Sequence, residues 1–278
     1  MNPRDLIRHT AVRFRAAGIP DPENDAALLL SHLTGVHPLV LRMDEDSEPD
    51  PEIVRAFEKL VDFRIKRIPL QYILGEAPFY CRSFLVDSRV LVPRPETELL
   101  CEWALSVLSA IPAPRILDLC CGSGCIGLTL KAERPDALVT LSDISPNALA
   151  VASANASRLS LDAEIRQGDL LEGFENYFFD LIISNPPYIP SDAFGSLQPE
   201  VGYEPALALQ GGPDGCDLYR RIIKTAGPIL VPGGILLMEF GINEAPVLVP
   251  LLQAQGFTDI QIRQDYAGID RMILAVHP

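Results

Sequence analysis

Two places in the chain carry residues whose types and spacing suit chemistry. Residues 181–184, Leu-Ile-Ile-Ser, read as a buried strand, and Asn185-Pro186-Pro187-Tyr188 follows at its carboxyl end. The paired prolines stiffen that turn and leave backbone carbonyls without intrahelical partners, free to face a ligand. Upstream, the apolar strand 116–119 runs into Cys120-Cys121-Gly122-Ser123-Gly124 and then into a helix. Glycines there let the backbone approach a ligand closely and expose amide groups at the helix start. A second strand ends in Asp143, about 20 residues past the glycine loop, where a carboxylate can accept both ribose hydroxyls of an adenosine. A third ends in Gly168-Asp169-Leu170, the place for contacts to an adenine edge.

The glycine loop alone fits either a dinucleotide or S-adenosylmethionine. The segment after the fourth strand separates them, because Asn-Pro-Pro-Tyr behind a nucleotide loop resembles the methyltransferases that alkylate amide-like or aniline-like nitrogen. An NH2 conjugated to a carbonyl or a ring has a delocalised lone pair and is a poor nucleophile at neutral pH. The Asn185 side-chain oxygen and the Pro186 carbonyl can accept its two N–H bonds. That turns the nitrogen toward a sulfonium methyl and stabilises positive charge as it develops. Tyr188 can pack its ring on the planar group. No histidine or carboxylate pair is needed, and the only histidine after Pro95 is His277, which argues against a triad hydrolase or a histidine-dependent dehydrogenase.

Beyond the tetrapeptide, the whole sequence resembles the HemK/PrmC family, the glutamine methyltransferases of peptide chain release factors. The stretches that carry the resemblance are Leu91-Val92-Pro93-Arg94-Pro95-Glu96-Thr97-Glu98, Asp118-Leu119-Cys120-Cys121-Gly122-Ser123-Gly124, Asn185-Pro186-Pro187-Tyr188-Ile189, Tyr203-Glu204-Pro205-Ala206-Leu207-Ala208-Leu209 and Gly211-Gly212-Pro213-Asp214-Gly215. The tetrapeptide is shared with adenine methyltransferases; the flanking segments make the assignment specific. The resemblance implies an α/β fold, a class I (Rossmann-like) S-adenosylmethionine-dependent methyltransferase sheet of seven strands with a small N-terminal helical domain. It implies a cofactor site at Cys121, Gly122, Ser123, Gly124, Asp143, Leu170 and Asn185. The substrate would meet Asn185, Pro186, Pro187 and Tyr188, with Asn185, Pro186 and Tyr188 catalytic. The implied acceptor is the glutamine of the Gly-Gly-Gln motif of class 1 release factors; the alternative is an adenine amino-methyltransferase acting on DNA or RNA. Two departures stand out: Cys120 replaces a frequent glycine, and Glu244 a common glutamine. Arg94 and Thr97 either line the site or cap the helix that follows.

Charge weighs against that alternative. With 23 lysines and arginines against 37 aspartates and glutamates the net charge is −14, and neither the part before Ser88 nor the part after it is basic, so nucleic acid would meet a repulsive average field. At 278 residues and 48% apolar composition the chain is no disordered or fibrous protein. The amino terminus lacks a signal-peptide core and no apolar run approaches the ~20 residues of a membrane span. A cytoplasmic monomer without membrane contact is expected. The six cysteines, at 81, 101, 120, 121, 125 and 216, lack the paired spacing of disulfides or zinc sites and read as reduced thiols, so no metal is expected.

The elements that must position these residues follow from periodicity. Ile7, Ala11 and Phe14 mark one helix; Asp21-Pro22 starts a second that Gly35 stops; Ile53, Phe57, Leu60 and Val61 draw a third stripe ended by Pro69. Residues 1–68 thus form a helical domain, which the resemblance implies is a substrate-docking one. Residues 69–95 alternate as a β-hairpin linker turning at Asp87-Ser88-Arg89. From 96 to 278 short apolar strands alternate with helices (116–119, 138–142, 163–167, 181–184 and 235–240, then a last pair at 258–262 and 272–276). That pattern predicts a mainly parallel sheet with function at the strands' carboxyl ends.

Overall fold

The computed structural model describes every residue of the chain except Ser196. Prolines in the first turn, where a missing N–H costs nothing, open the first four helices: α1 (Pro3–Ala16), α2 (Pro22–Thr34), α3 (Pro38–Met43) and α4 (Pro51–Ile65). Asn2 caps α1 by accepting from the Asp5 N–H at 2.8 Å, and Gly35, at φ 69°, ends α2 in the left-handed region that favours glycine. A short α5 (Leu70–Leu74) follows. Leu6, Ile7, Phe14, Leu29, Leu30, Phe57 and Val61 converge into one core.

The chain divides into two compact units, Met1–Glu76 with Gln198–Tyr203, and Ala77–Leu197 with Glu204–Pro278. The six-residue insert is held in the first unit by Glu200, which accepts from Arg64 Nη1 at 2.8 Å and from Arg67 Nε and Nη2 at 2.6 Å each. Arg64 also donates to Asp25 at 2.7 Å. Burial opposes the Glu200 charge, but the hydrogen bonds from Arg67 and Arg64 outweigh it and hold the carboxyl at about 2.

The expected hairpin exists but turns elsewhere. Strands β1 (Glu76–Phe79) and β2 (Arg82–Leu85) are joined by Tyr80 and Cys81, both at positive φ, 48° and 59°. Such a tight turn ordinarily advertises itself with Asn or Gly, and neither is present, so the sequence pointed to Asp87-Ser88-Arg89 instead. Those residues make a separate turn, in which the Asp87 carboxylate accepts from the Arg89 N–H at 3.0 Å.

In the second unit α6 (Glu96–Val107) leads into a seven-stranded sheet. Its strands are β3 (Arg115–Leu119), β4 (Leu138–Asp143), β5 (Glu164–Gln167), β6 (Phe179–Ser184), β7 (Leu230–Glu239), β8 (Thr258–Gln264) and β9 (Asp270–Val276), in the order β5-β4-β3-β6-β7-β9-β8. The first five run parallel, and β9 pairs antiparallel with both β7 and β8. Side chains alternate between the faces with period two. Ile116, Leu181 and Ile183 enter one core with Leu100 of α6, Leu128 of α7 (Cys125–Glu133) and Ala152 of α8 (Pro146–Leu159). Leu117, Leu119 and Ile182 enter the other with Ile222 of α9 (Asp217–Ala226) and Leu248 of α10 (Ala245–Ala254). Burial on both faces is why the strands read as continuous apolar runs. The chain winds outward from β3 to β5, then returns to β6 on the other side of β3. This leaves a switch point between β3 and β6 where ligands of such sheets bind. Among the described residues no helix is long and apolar enough to cross a membrane.

Candidate active site

A cavity of about 210 Å³ opens at that switch point. After β3 the chain bends through Cys120, Gly122 and Gly124, at φ 58°, 54° and 77°. The bend is fixed by the Cys121 N–H donating to the Ser142 carbonyl at 3.0 Å and the Gly124 N–H to the Cys121 carbonyl at 2.7 Å. Gly122 lines the cavity and has nothing within 4 Å of where a Cβ would stand, so this face of the loop is open. Behind it, Gly127 lets α7 lie close to the sheet, since a Cβ there would meet Leu141 Cδ2 at 2.3 Å and Asp118 Cβ at 2.9 Å. Buried Asp118 accepts from the Gly127 N–H at 2.8 Å, and desolvation pushes its carboxyl up to about 7.

Asp143 closes β4 and faces the same space. Its Oδ2 accepts from the Gly122 N–H and its Oδ1 from the Ser145 N–H, both at 2.9 Å, and each oxygen keeps acceptor capacity for a ligand. Burial raises this carboxyl, with the backbone N–H bonds opposing. Beside it Ser142 Oγ is buried without a partner, an orphan that a bound hydroxyl or nitrogen would satisfy. Leu170, Leu207, Ala208 and Leu218 supply apolar wall, and Asp169 on the rim pairs with Arg221 at 2.8 Å. A fixed carboxylate, an open glycine face and apolar walls fit an adenosine-bearing cofactor.

Of the residues singled out from sequence, Gly122, Asp143, Leu170, Asn185 and Pro187 line this cavity. Cys121 and Ser123 are buried behind the loop, where the Ser123 carbonyl accepts from Asn155 at 2.9 Å, and Gly124 packs against Leu128 and Leu141. These three shape the turn. Cys120 does reach the wall, and burial pushes its thiol up, away from a reactive thiolate. Among the described residues no cluster suited to a metal ion occurs.

The other end of the cavity is built on the end of β6. The Asn185 Nδ2 donates to Thr97 Oγ1 at 3.3 Å, and the Thr97 hydroxyl donates to Glu239 Oε2 at 2.7 Å. Glu239 ends β7, buried; desolvation pushes its carboxyl up to about 7 against the pull of Thr97, Arg271 and Asn185. Pro186 is buried and Tyr188 half-buried against the second core, its phenol pushed up to about 12 by burial.

The segment 203–215 explains itself as the support of this turn. The Ile189 N–H donates to the Leu209 carbonyl and the Gly211 N–H to the Ile189 carbonyl, each at 2.9 Å. A Cβ on Gly211 would stand 2.7 Å from Tyr188 Cα, and one on Gly215 2.5 Å from the Tyr188 carbonyl oxygen. Glu204, buried, accepts from the Val92 N–H at 3.3 Å and from Arg94 at 2.6 Å, so Arg94 serves an ion pair at the base of the preceding loop. Glu244 accepts from the Gly241 N–H at 2.7 Å and is pushed by burial to about 7. Sequence reasoning missed Glu239, whose signal was a lone carboxylate closing an apolar strand. It also missed Val90 and Leu91, which line the cavity but read only as hairpin or motif residues.

Comparison with known proteins shows the family of the chain. Residues 97–195 match the family model Methyltransferase small domain, and residues 5–75 match PrmC N-terminal domain. The chain is 41% identical over 277 residues to a release factor glutamine methyltransferase of Deinococcus radiodurans, covering 99% of this chain and 98% of that one. It is 41% identical to the namesake from Geobacter sulfurreducens, covering 97% and 95%. Among solved structures, the T. thermophilus 16S rRNA N2 G1207 methyltransferase (RsmC), in complex with AdoMet and guanosine, superposes with a TM-score of 0.54 at 19% identity, over 73% of this chain and 50% of that one; this likeness bears on the fold. By its identity to these relatives along nearly its whole length, the chain belongs to the release factor glutamine methyltransferase family.

Proposed function

We propose that this protein transfers a methyl group from S-adenosylmethionine to the side-chain amide nitrogen of the glutamine in the Gly-Gly-Gln motif of class 1 peptide chain release factors. The observation that carries this reading is Asn185. It shares one cavity with Gly122 and Asp143, and its NH2 is committed to Thr97, which leaves its oxygen for a substrate N–H. Asp143 takes the ribose hydroxyls, Gly122 gives close backbone approach and Leu170 borders the adenine, while Cys121, Ser123 and Gly124 hold the loop in shape. Bound there, S-adenosylmethionine would supply an electrophilic methyl, its sulfur keeping the electron pair of the broken S–C bond and departing as a neutral thioether. Asn185 Oδ1 and the Pro186 carbonyl accept the two amide hydrogens and stabilise positive charge on the nitrogen, which gives up one proton to water as the methyl arrives. Pro187 keeps the turn rigid, and Tyr188 packs beside the planar group as a neutral phenol. All these residues lie on one chain, so the site needs no second copy. A release-factor substrate puts the reaction in the cytoplasm, a site built on one chain fits a monomer, and the net charge of −14 disfavours nucleic acid.

Radiolabelled methyl transfer offered separately to a release factor, DNA and RNA tests the substrate: label is expected in the release factor alone, and label in DNA or RNA would overturn the reading. In the same assay Asn185→Ala should lower turnover by about 10² to 10⁴ while sparing cofactor affinity. Asp143→Ala should weaken cofactor binding by roughly 1–3 kcal/mol in calorimetry.

A further inference from the structure

We infer that Thr97 and Glu239 form a one-way hydrogen-bond relay that fixes which end of the Asn185 amide faces the acceptor. This rests on the role given to Asn185 above. An asparagine side chain can turn its amide over with little change of shape, exchanging an acceptor for two donors. Presented the wrong way, its NH2 would meet the NH2 of the acceptor amide, donor against donor.

The relay removes that choice. An ionised carboxylate only accepts, so the single Thr97 proton goes to Glu239 Oε2, 2.7 Å away. The Thr97 oxygen is left with lone pairs alone, and Asn185 must answer with an N–H, at 3.3 Å; the same NH2 is also drawn toward the Glu239 carboxylate, which likewise only accepts. The Asn185 oxygen is thereby turned away from Thr97. Protonation of Glu239 would undo this, since a carboxylic acid can donate to Thr97, whose proton is then free for Asn185 Oδ1. The groups facing Glu239 are Arg271 of β9, which favours its charge, and Glu96 of α6, which opposes it. Cys101, Cys125, Tyr188 and Tyr219 face it as well, and burial pushes the ionisation of all four upward, so they stay neutral. Glu239 is therefore the member of this set that changes charge near neutrality. Thr97 and Glu239 are positioning residues: they act through Asn185.

The test uses the full-length enzyme with a release factor as substrate, measuring single-turnover rate, release-factor KM and cofactor Kd. Thr97→Val keeps the shape and deletes the relay. It should lower the rate about 10- to 100-fold, the range for groups that orient a reacting residue from behind, with cofactor Kd and release-factor KM near parental values. Thr97→Ser, which restores the hydroxyl, should recover most of the rate. In the parent the rate should rise with pH through about 7, and Glu239→Gln should be slow with that rise abolished. A parental rate in Thr97→Val alongside an inactive Asn185→Ala overturns the relay and spares the assignment of Asn185; parental rates in both overturn the assignment itself. Failure of Thr97→Ser to recover, with cofactor Kd intact, also overturns the relay.

Discussion

Glu239 sets two demands against each other at a single residue. Orienting Asn185 requires its carboxylate, yet desolvation raises the carboxyl from 4.5 to about 7. A raised carboxyl means that the folded state binds the proton more tightly than the unfolded chain does. The associated stability is fully present below about 4.5 and is lost as pH rises through about 7. Catalytic competence should therefore grow over the pH range in which the fold weakens, a common arrangement where a buried acid serves function. Glu239→Gln, which cannot ionise, isolates the effect from Asp118 and Glu244, whose carboxyls are raised in the same direction. Its melting temperature relative to the parent should climb from pH 5 to pH 8; a difference independent of pH would show that Glu239 does not titrate in that window. Thr97 and Glu239 each carried a signal, the one in the segment that leads into α6 and the other as a carboxylate closing an apolar strand like Asp143, but their pairing was not legible because 142 residues separate them.

At the scale of elements, the turn after β6 is held in place by close backbone contacts with the segment 209–215. Gly211 and Gly215 are small because the backbone of Tyr188 passes beside them, and Gly212 because the Asp217 side chain does. Gly211→Ala would put a Cβ 2.5 Å from the Gly215 carbonyl oxygen as well as against Tyr188 Cα, and backbone atoms cannot rotate aside. It should cost about 1–3 kcal/mol in thermal or urea unfolding and depress turnover, whereas Gly202→Ala, with nothing within 4 Å of its Cβ, should be silent in both. A Gly211→Ala protein with parental stability and rate would remove this support from the account. Why such glycines occur was not legible, since the reason lies in a distant stretch of backbone. The strands were legible because the later parts of β6 and β7 are buried on both faces and carry apolar runs, but β7 starts at Leu230, ahead of its apolar run, through exposed Pro232 and Gly233 that gave no strand signal. The hairpin turn at Tyr80 and Cys81 was not legible, for its residues lack turn chemistry. The glycine loop was legible as a loop, but not which of its residues face the cavity: Gly122 does, while Cys121 and Ser123 point behind it.

The whole molecule is threaded so that its first unit is discontinuous, completed by Gln198–Tyr203. Composition and periodicity gave no hint of this, because six residues, Gln-Pro-Glu-Val-Gly-Tyr, mostly in one 3-10 turn are too few to carry a period. Tyr203 donates to the Lys66 carbonyl at 2.7 Å and Glu200 supplies the ionic contact; its carboxyl, held at about 2 against 4.5 in the unfolded chain, contributes stability above about 4.5 that is lost as pH falls through about 2. Glu200→Gln should destabilise the protein at pH 7 by about 1–3 kcal/mol, less than breaking a fully buried pair, since the carboxylate is only half-buried and Arg64 keeps Asp25. Urea unfolding from pH 7 to pH 2 checks it, the two proteins converging at the acid end; parallel curves would deny the ion pair its role. The same threading bears on how the protein is made. Arg64 and Arg67 leave the ribosome 136 and 133 residues ahead of Glu200. At about 5–20 residues per second that interval lasts roughly 7–27 s. Until it ends Arg64 has only Asp25 for a carboxylate partner, so the unit translated first is finished after β3, β4, β5 and β6 have already been synthesised.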